Sequence, residues 1–195
     1  MRSLRTQGRY PCDIAETKRF IIRELGLSDI NAYIRLTGEE HVREFIPEFR
    51  ESKECRRENI ISHVEMAYAF YECGIFGVFV KPGTAFGKPG ALAGLIDLRP
   101  LSYEFVEMNP SYKDTSCYEL GYVTEKSFIR KGVAAECSRA VLFYAFDYLG
   151  ADSIIIRTDE ENIGAVKTAA ALHFNLNEKG FYELLKENYY NCLEK

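Results

Sequence analysis

The chain has 195 residues, 47% hydrophobic and 28% charged, with 25 basic against 29 acidic side chains for a net charge of -4. That length and composition suit one globular domain with a core of its own. They exclude a disordered tail, a collagen-like repeat and a disulfide mini-protein. The acidic balance argues against a general nucleic-acid binder, whose phosphate contacts need a basic surface, but leaves room for a local basic pocket.

Residues 1–17 are polar and read as a loose N-terminal arm ahead of a single domain over 18–195. Arg19 to Leu25 mixes β-branched and aromatic residues and predicts a first strand. Ser28 and Asp29 supply cap chemistry for a helix through Leu36. From Glu54 to Tyr71, Ile60, Ile61, Val64, Ala67, Tyr68 and Tyr71 recur at helical spacing and form one apolar face. Ile75–Val80 and Ala91–Leu98 read as two strands of a hairpin, joined by the turn KPGTAFGKPG. Arg99 to Ser116 reads as loop and Tyr118–Val123 as strand. Val133 to Leu149 is a helix that Gly150 stops. Ser153–Arg157 is a strand, Asn162–Leu172 an Ala-rich helix, and Glu178 to Leu193 a hairpin turning at Lys186, Glu187 and Asn188. The order predicts an α/β (α+β) fold, with a mixed, mostly antiparallel sheet of about seven strands flanked by helices.

The six cysteines form no Cys-x-x-Cys pair, and no histidine sits at zinc-ligand spacing from them, so no metal is expected. The N-terminus lacks an apolar signal core, and no apolar run reaches the ~18 residues that a membrane span needs. These features predict a cytoplasmic protein with reduced, mostly buried thiols and neither membrane nor nucleic-acid partners.

The segment Tyr118–Glu136 holds the chemistry. A strand leads into the basic turn Arg130-Lys131-Gly132, which opens into a long helix. The free N–H groups and dipole of a helix's first turn favour an anion, Gly132 allows close backbone approach, and Arg130 and Lys131 add charge. An ordinary strand-helix connection with two solvated cations is the competing reading. The patterns of a P-loop and of a dinucleotide fingerprint are both absent.

The stretch ELGYVTEKSFIRKGVAAEC resembles the GNAT superfamily of acyl-CoA-dependent N-acetyltransferases, and within it the branch that acetylates ribosomal-protein N-termini. Glu119, Gly121, Tyr122, Lys131, Gly132, Ala134 and Glu136 match that branch's Glu-Ile-Gly-Tyr and Trp-Gly-Lys-Gly-Tyr-Ala-Thr-Glu-Ala pattern, while Ile129, Arg130, Val133, Ala135 and Cys137 depart from it. A second, weaker match is Asn162-Ile163-Gly164-Ala165, whose helix ends in His173-Phe174 where the superfamily has Gly-Phe.

The resemblance implies acetyl-CoA as acyl donor, a peptide N-terminus or small-molecule amine as acceptor, and direct transfer in a ternary complex; it is compatible with a homodimer. Tyr122, Val123 and Thr124 would run beside the pantetheine arm, in a gap between their strand and Ser153–Arg157. Arg130, Lys131, Gly132, Val133, Ala134 and Ala135 would hold the pyrophosphate. Asn162 would bond the cofactor's arm, cap its helix, or both. Glu119 is the candidate base, with a recognition carboxylate or a structural ion pair as alternatives. Positions where family members carry an acid are Ala165 and Ala169, which donate no proton. Tyr112, Tyr118 and Tyr144 are candidate replacements, or the thiolate leaves unassisted. The glutamates between Glu39 and Glu58 form either a solvated face or an attractor for a cationic amine. Rival readings are a non-catalytic acyl-CoA-binding regulator and a plain interaction domain.

Overall fold

The computed structural model describes residues 11–68 and 72–193. Its strands are β1 (Asp13–Glu16), β2 (Phe20–Glu24), β3 (Gly74–Val80), β4 (Leu92–Pro100), β5 (Cys117–Thr124), β6 (Ser153–Ile156), β7 (Asn175–Leu176) and β8 (Tyr182–Leu185). They form one sheet in the order β1-β2-β3-β4-β5-β6-β8-β7. Every neighbouring pair is antiparallel except β5 and β6. The mostly antiparallel sheet predicted from the sequence is thus present, with an eighth strand added.

The helices are α1 (Ile30–Leu36), α2 (Glu40–Arg43), α3 (Lys53–Ser62), α4 (Tyr103–Met108), α5 (Val133–Phe143), α6 (Ile163–Ala171) and α7 (Lys186–Leu193). π-helical turns continue α3 over His63–Ala67 and α5 over Tyr144–Tyr148. Gly150, at φ 72°, follows the second of them, as the sequence predicts. α5 crosses from β5 to the parallel β6, and its stripe of Val133, Cys137, Val141 and Leu142 is buried in the core.

The two faces of the sheet carry different chemistry. Residues paired across β4 and β5 share a face, so Ile96, Leu98, Leu120 and Tyr122 lie on one side and Asp97, Arg99, Glu119, Gly121 and Val123 on the other. The Tyr122 hydroxyl donates to the Ala165 carbonyl at 2.9 Å, which places α6 over the first face. α1 covers the second: burial first, then the nearby Asp97 carboxylate, push the Tyr33 hydroxyl up to about 12.

Four elements depart from the sequence reading. Asp13–Glu16, inside the expected loose arm, forms an edge strand on β2, and the Glu24 carboxylate accepts from the Cys12 N–H at 3.1 Å; residues 1–10 lie outside the described residues, as does Tyr71. The short helix α2 falls in a segment for which no element was predicted. The expected loop 99–116 contains α4, where Ser102 Oγ accepts from the Phe105 N–H at 3.2 Å and Phe105 is buried. The expected C-terminal hairpin is strand β8 followed by helix α7; the hairpin lies one step earlier, between β7 and β8. Tertiary contacts hold the helix: Tyr189 stacks on Phe146 with ring centroids 4.7 Å apart, and the Tyr190 hydroxyl lies 3.1 Å from an Asp147 carboxylate oxygen.

All six cysteines are free thiols; Cys117 and Cys137 are buried and the other four half-buried, so mostly buried was an overestimate. Among the described residues no helix is long and apolar enough to cross a membrane, and no cluster of His, Cys, Asp and Glu could hold a metal ion.

Candidate active site

The site begins where β5 and β6 part. Their last paired residues are Glu119 and Ile155, yet β5 runs on to Thr124. The Leu101 N–H reaches the Cys117 carbonyl at 3.4 Å and the Glu125 N–H reaches the Ala93 carbonyl at 2.9 Å. Odd-numbered residues of β5 therefore turn their backbone groups toward β4, and even-numbered residues turn theirs toward the opened side. Tyr122 and Thr124 present N–H and C=O groups to the gap. Val123 does not: its carbonyl faces β4 so closely that any side chain on Gly94 would strike it. The gap's mouth is fastened to α2. His41 Nε2 lies 3.0 Å from the Thr124 carbonyl oxygen, and the Glu39 carboxylate accepts from the Lys126 N–H at 3.1 Å.

The basic turn follows. Glu125 caps a 3-10 turn over Lys126–Phe128 by accepting from the Ser127 N–H at 2.9 Å. Gly132, at φ 73° and ψ 13°, then stands at the N-cap of α5 with no side-chain cap. The first bond back from the helix is Glu136 N–H to the Gly132 carbonyl at 3.0 Å. Among the described residues the N–H groups of Val133, Ala134 and Ala135 have no acceptor, so the helix end offers three converging donors. The Val133 side chain is buried, so only its backbone is available to a ligand.

Arg130 occupies a left-handed conformation, φ 61°. The family pattern has glycine there, so the departure has a conformational cost of about 1 kcal/mol. His173, the other place where this sequence replaces a family glycine, has φ 64°. It ends α6, with the Phe174 N–H bonding the Ala169 carbonyl at 3.1 Å.

One residue behind the turn escaped the sequence reading. Arg19, just ahead of β2, places Nε 2.6 Å from Glu136 Oε2 and donates through Nη2 to the Lys131 carbonyl at 3.0 Å. Its guanidinium lies 4.1 Å from the Phe86 ring centroid. Burial pushes the Glu136 carboxyl up, but hydrogen bonds from Thr17 and Arg19 hold it below the usual range. Lys131 Nζ stands 5.7 Å from Phe86 and 5.6 Å from Phe128, on the wall of a cleft of about 520 Å³ shared with Arg35, Glu39 and Lys88.

Asn162 is the cap of α6, its Oδ1 accepting from the Ala165 N–H at 3.1 Å. Glu119 is gripped by Arg157, with Nε 3.0 Å from Oε1 and Nη2 2.7 Å from Oε2. The guanidinium also lies 5.3 Å from the Phe105 ring centroid. Two of the tyrosines weighed as acids are engaged elsewhere: the Tyr112 hydroxyl is 2.8 Å from Glu183 and the Tyr144 hydroxyl donates to the Glu72 carbonyl at 2.7 Å. Tyr118 lies on the face opposite Glu119. Cys137 is buried, and that burial pushes its thiol up, so it is no nucleophile.

A second carboxylate shares Glu119's face. Asp97, opposite Gly121, contacts Arg99 at 2.5 Å and has a side chain 20% exposed. Burial pushes its carboxyl up to about 6; Arg99 opposes this, while Glu119 and Glu48 add to it. Its only signal in the sequence is an acid inside an otherwise apolar strand, Leu-Ala-Gly-Leu-Ile-Asp-Leu.

The acetyltransferase (GNAT) domain profile matches residues 19–175, most of the chain and both halves of the site. The chain belongs to the GNAT acetyltransferase family. No curated protein sequence matches it. Among solved structures, a GNAT acetyltransferase from Bacillus anthracis is 20% identical, with a TM-score of 0.70 over 89% of this chain and 98% of that one. The ribosomal-protein alpha-N-acetyltransferase RimL, in complex with coenzyme A, is 13% identical, with a TM-score of 0.69 over 90% of this chain and 99% of that one. An aminoglycoside acetyltransferase in complex with coenzyme A is 12% identical, with a TM-score of 0.66 over 88% of this chain and 98% of that one. At these identities the likeness is one of fold. In this GNAT acetyltransferase, a strand edge with open backbone groups leads straight to an uncapped helix end, and two carboxylates lie on the face turned away from that helix.

Proposed function

We propose that this GNAT acetyltransferase moves an acetyl group from acetyl-CoA to a primary amine, on a protein N-terminus or a small molecule, by direct attack in a ternary complex. The observation that carries the reading is the pairing of two open backbone stretches on one segment, Tyr122 and Thr124 at the gap and Val133, Ala134 and Ala135 at the helix start. Such a pairing suits a ligand with amides in its arm and a pyrophosphate at its end. The pyrophosphate would sit on the α5 N-terminus, with Arg130 and Lys131 adding charge and Gly132 permitting close approach. The pantetheine amides would pair with Tyr122 and Thr124, which requires His41 to release the Thr124 carbonyl. Val123 contributes packing only, and Asn162 supports α6 as its cap.

Direct transfer needs the amine free of its extra proton, held against the thioester carbonyl, and an N–H to steady the developing oxyanion. The Tyr122 N–H is the donor offered at the gap. Glu119 and Asp97, on the face covered by α1, receive the amine. No tyrosine or serine acid is needed, because a thiolate is an acceptable leaving group.

Calorimetry with acetyl-CoA, and release of free thiol across peptides and small amines, test this reading. Binding with amine-dependent thiol release is expected. Binding without turnover would favour an acyl-CoA-sensing role, and absence of binding would sink both.

A further inference from the structure

We propose that Asp97 takes the proton from the acceptor's ammonium group, and that the Glu119–Arg157 pair orients the acceptor. This rests on the acetyl-transfer reading and assigns roles within it. Glu119 has both oxygens committed to one guanidinium in a bidentate grip. Asp97 meets Arg99 at 2.5 Å through one oxygen, and Arg99 is 54% exposed on its solvent side. Asp97 also has a path to the gap. It lies opposite Gly121, and a Cβ built on Gly121 would meet only the Cβ of Asp97, at 3.6 Å. The missing side chain leaves an opening between the carboxylate and the part of β5 beyond its last pairing with β6. An amine seated there lies between Asp97 and a thioester held along Tyr122.

The groups facing Asp97 are Arg99 on its own strand, Glu119 on β5, Glu48 in the turn Pro47–Arg50, Tyr33 on α1, and Tyr68 at the end of the π turn after α3. Burial, with Glu119 and Glu48 adding to it and Arg99 opposing it, holds the carboxyl at about 6, where it is ionised at neutral pH yet a competent proton acceptor. Asp97 accepts one proton from the ammonium and later passes it to solvent. The freed nitrogen pair forms the C–N bond. The C–S bond breaks with its electron pair on sulfur, and a second proton leaves nitrogen to convert the thiolate to the thiol.

The test follows thiol release from acetyl-CoA, with a short peptide bearing a free N-terminal amine and with a small alkyl amine, from about pH 5 to 9. The wild-type kcat/KM is expected to fall on the acid side with a limb near 6. Asp97→Asn is expected to lower kcat/KM by ~100-fold and abolish the limb. Glu119→Gln is expected to keep the limb and raise the acceptor KM. Arg99→Gln removes an exposed cation that lowers the Asp97 value, and so moves the limb to higher pH; it decides the matter if the Asn variant fails to fold. A limb that survives Asp97→Asn, vanishes in Glu119→Gln, or stays fixed in Arg99→Gln would overturn the assignment. Acetyl-CoA binding is measured on every variant. A wild type that binds acetyl-CoA but releases thiol to no amine overturns the transfer reading, not the division of roles alone.

Discussion

The turn at the start of α5 and the carboxylate face of β4 and β5 are built on different principles. The turn works through main-chain groups: three open N–H donors, a left-handed Gly132 and a backbone carbonyl pinned by Arg19. The turn's own side chains tune its charge, and the one side-chain clamp on its shape, Arg19, comes from outside it. The opposite face works through side chains alone, two carboxylates each answered by an arginine, on β4 and β5, strands paired with each other. The turn should therefore tolerate side-chain exchange and resist backbone change, and the carboxylate face the reverse.

The largest expected effect tests the second half of that contrast. Asp97's carboxyl rises from 3.8 to about 6 on folding, so the folded state binds the proton more tightly. Its contribution to stability is fullest below pH 3.8 and is lost as pH rises through about 6. Asp97→Asn should therefore stabilise the protein at neutral pH by up to ~3 kcal/mol while depressing turnover, seen as a higher denaturation midpoint. A structural ion pair would lose stability instead.

Next comes Arg19→Ala, expected to cost ~2 kcal/mol and weaken acetyl-CoA binding severalfold, read by calorimetry. Equal loss of stability with unchanged binding would show that the turn keeps its shape unaided. Gly132→Ala is expected to cost ~1 kcal/mol, since its Cβ would meet Arg19 only at 3.6 Å and the strain lies in φ. Donor affinity should fall about tenfold while the acceptor KM stays put. Smallest is Arg130→Gly. Relief of ~1 kcal/mol of left-handed strain is offset by the entropy glycine adds to the unfolded chain. The net stability change should be near zero, with a modest loss of donor affinity that fades at high salt.

The same contrast explains what the sequence could disclose. A backbone site leaves its trace in glycine placement, helix starts and strand patterns, and these are local. Hence the strand-turn-helix from Tyr118 to Glu136 was legible, whereas the positive φ at Arg130 and His173, where family glycines are replaced, emerged only in the structure. A side-chain site depends on register between distant strands. Nothing local in the sequence says that Asp97 faces Gly121, that Arg157 grips Glu119, or that Val123 turns its carbonyl to Gly94. The C-terminal error has the same origin: Tyr189 and Tyr190 meet Phe146 and Asp147, far away in sequence, and hold that segment as a helix.

Arg19 gives the turn an unusual dependence on the order in which the chain comes together. It reaches Glu136 across 117 residues of sequence. The helix start can form early and alone, but its finished shape waits for the first central strand to find its place. High sequence separation makes such contacts slow and late to form. Coenzyme binding would then report completed folding, since the ligand is held firmly only once the two ends of this contact have met.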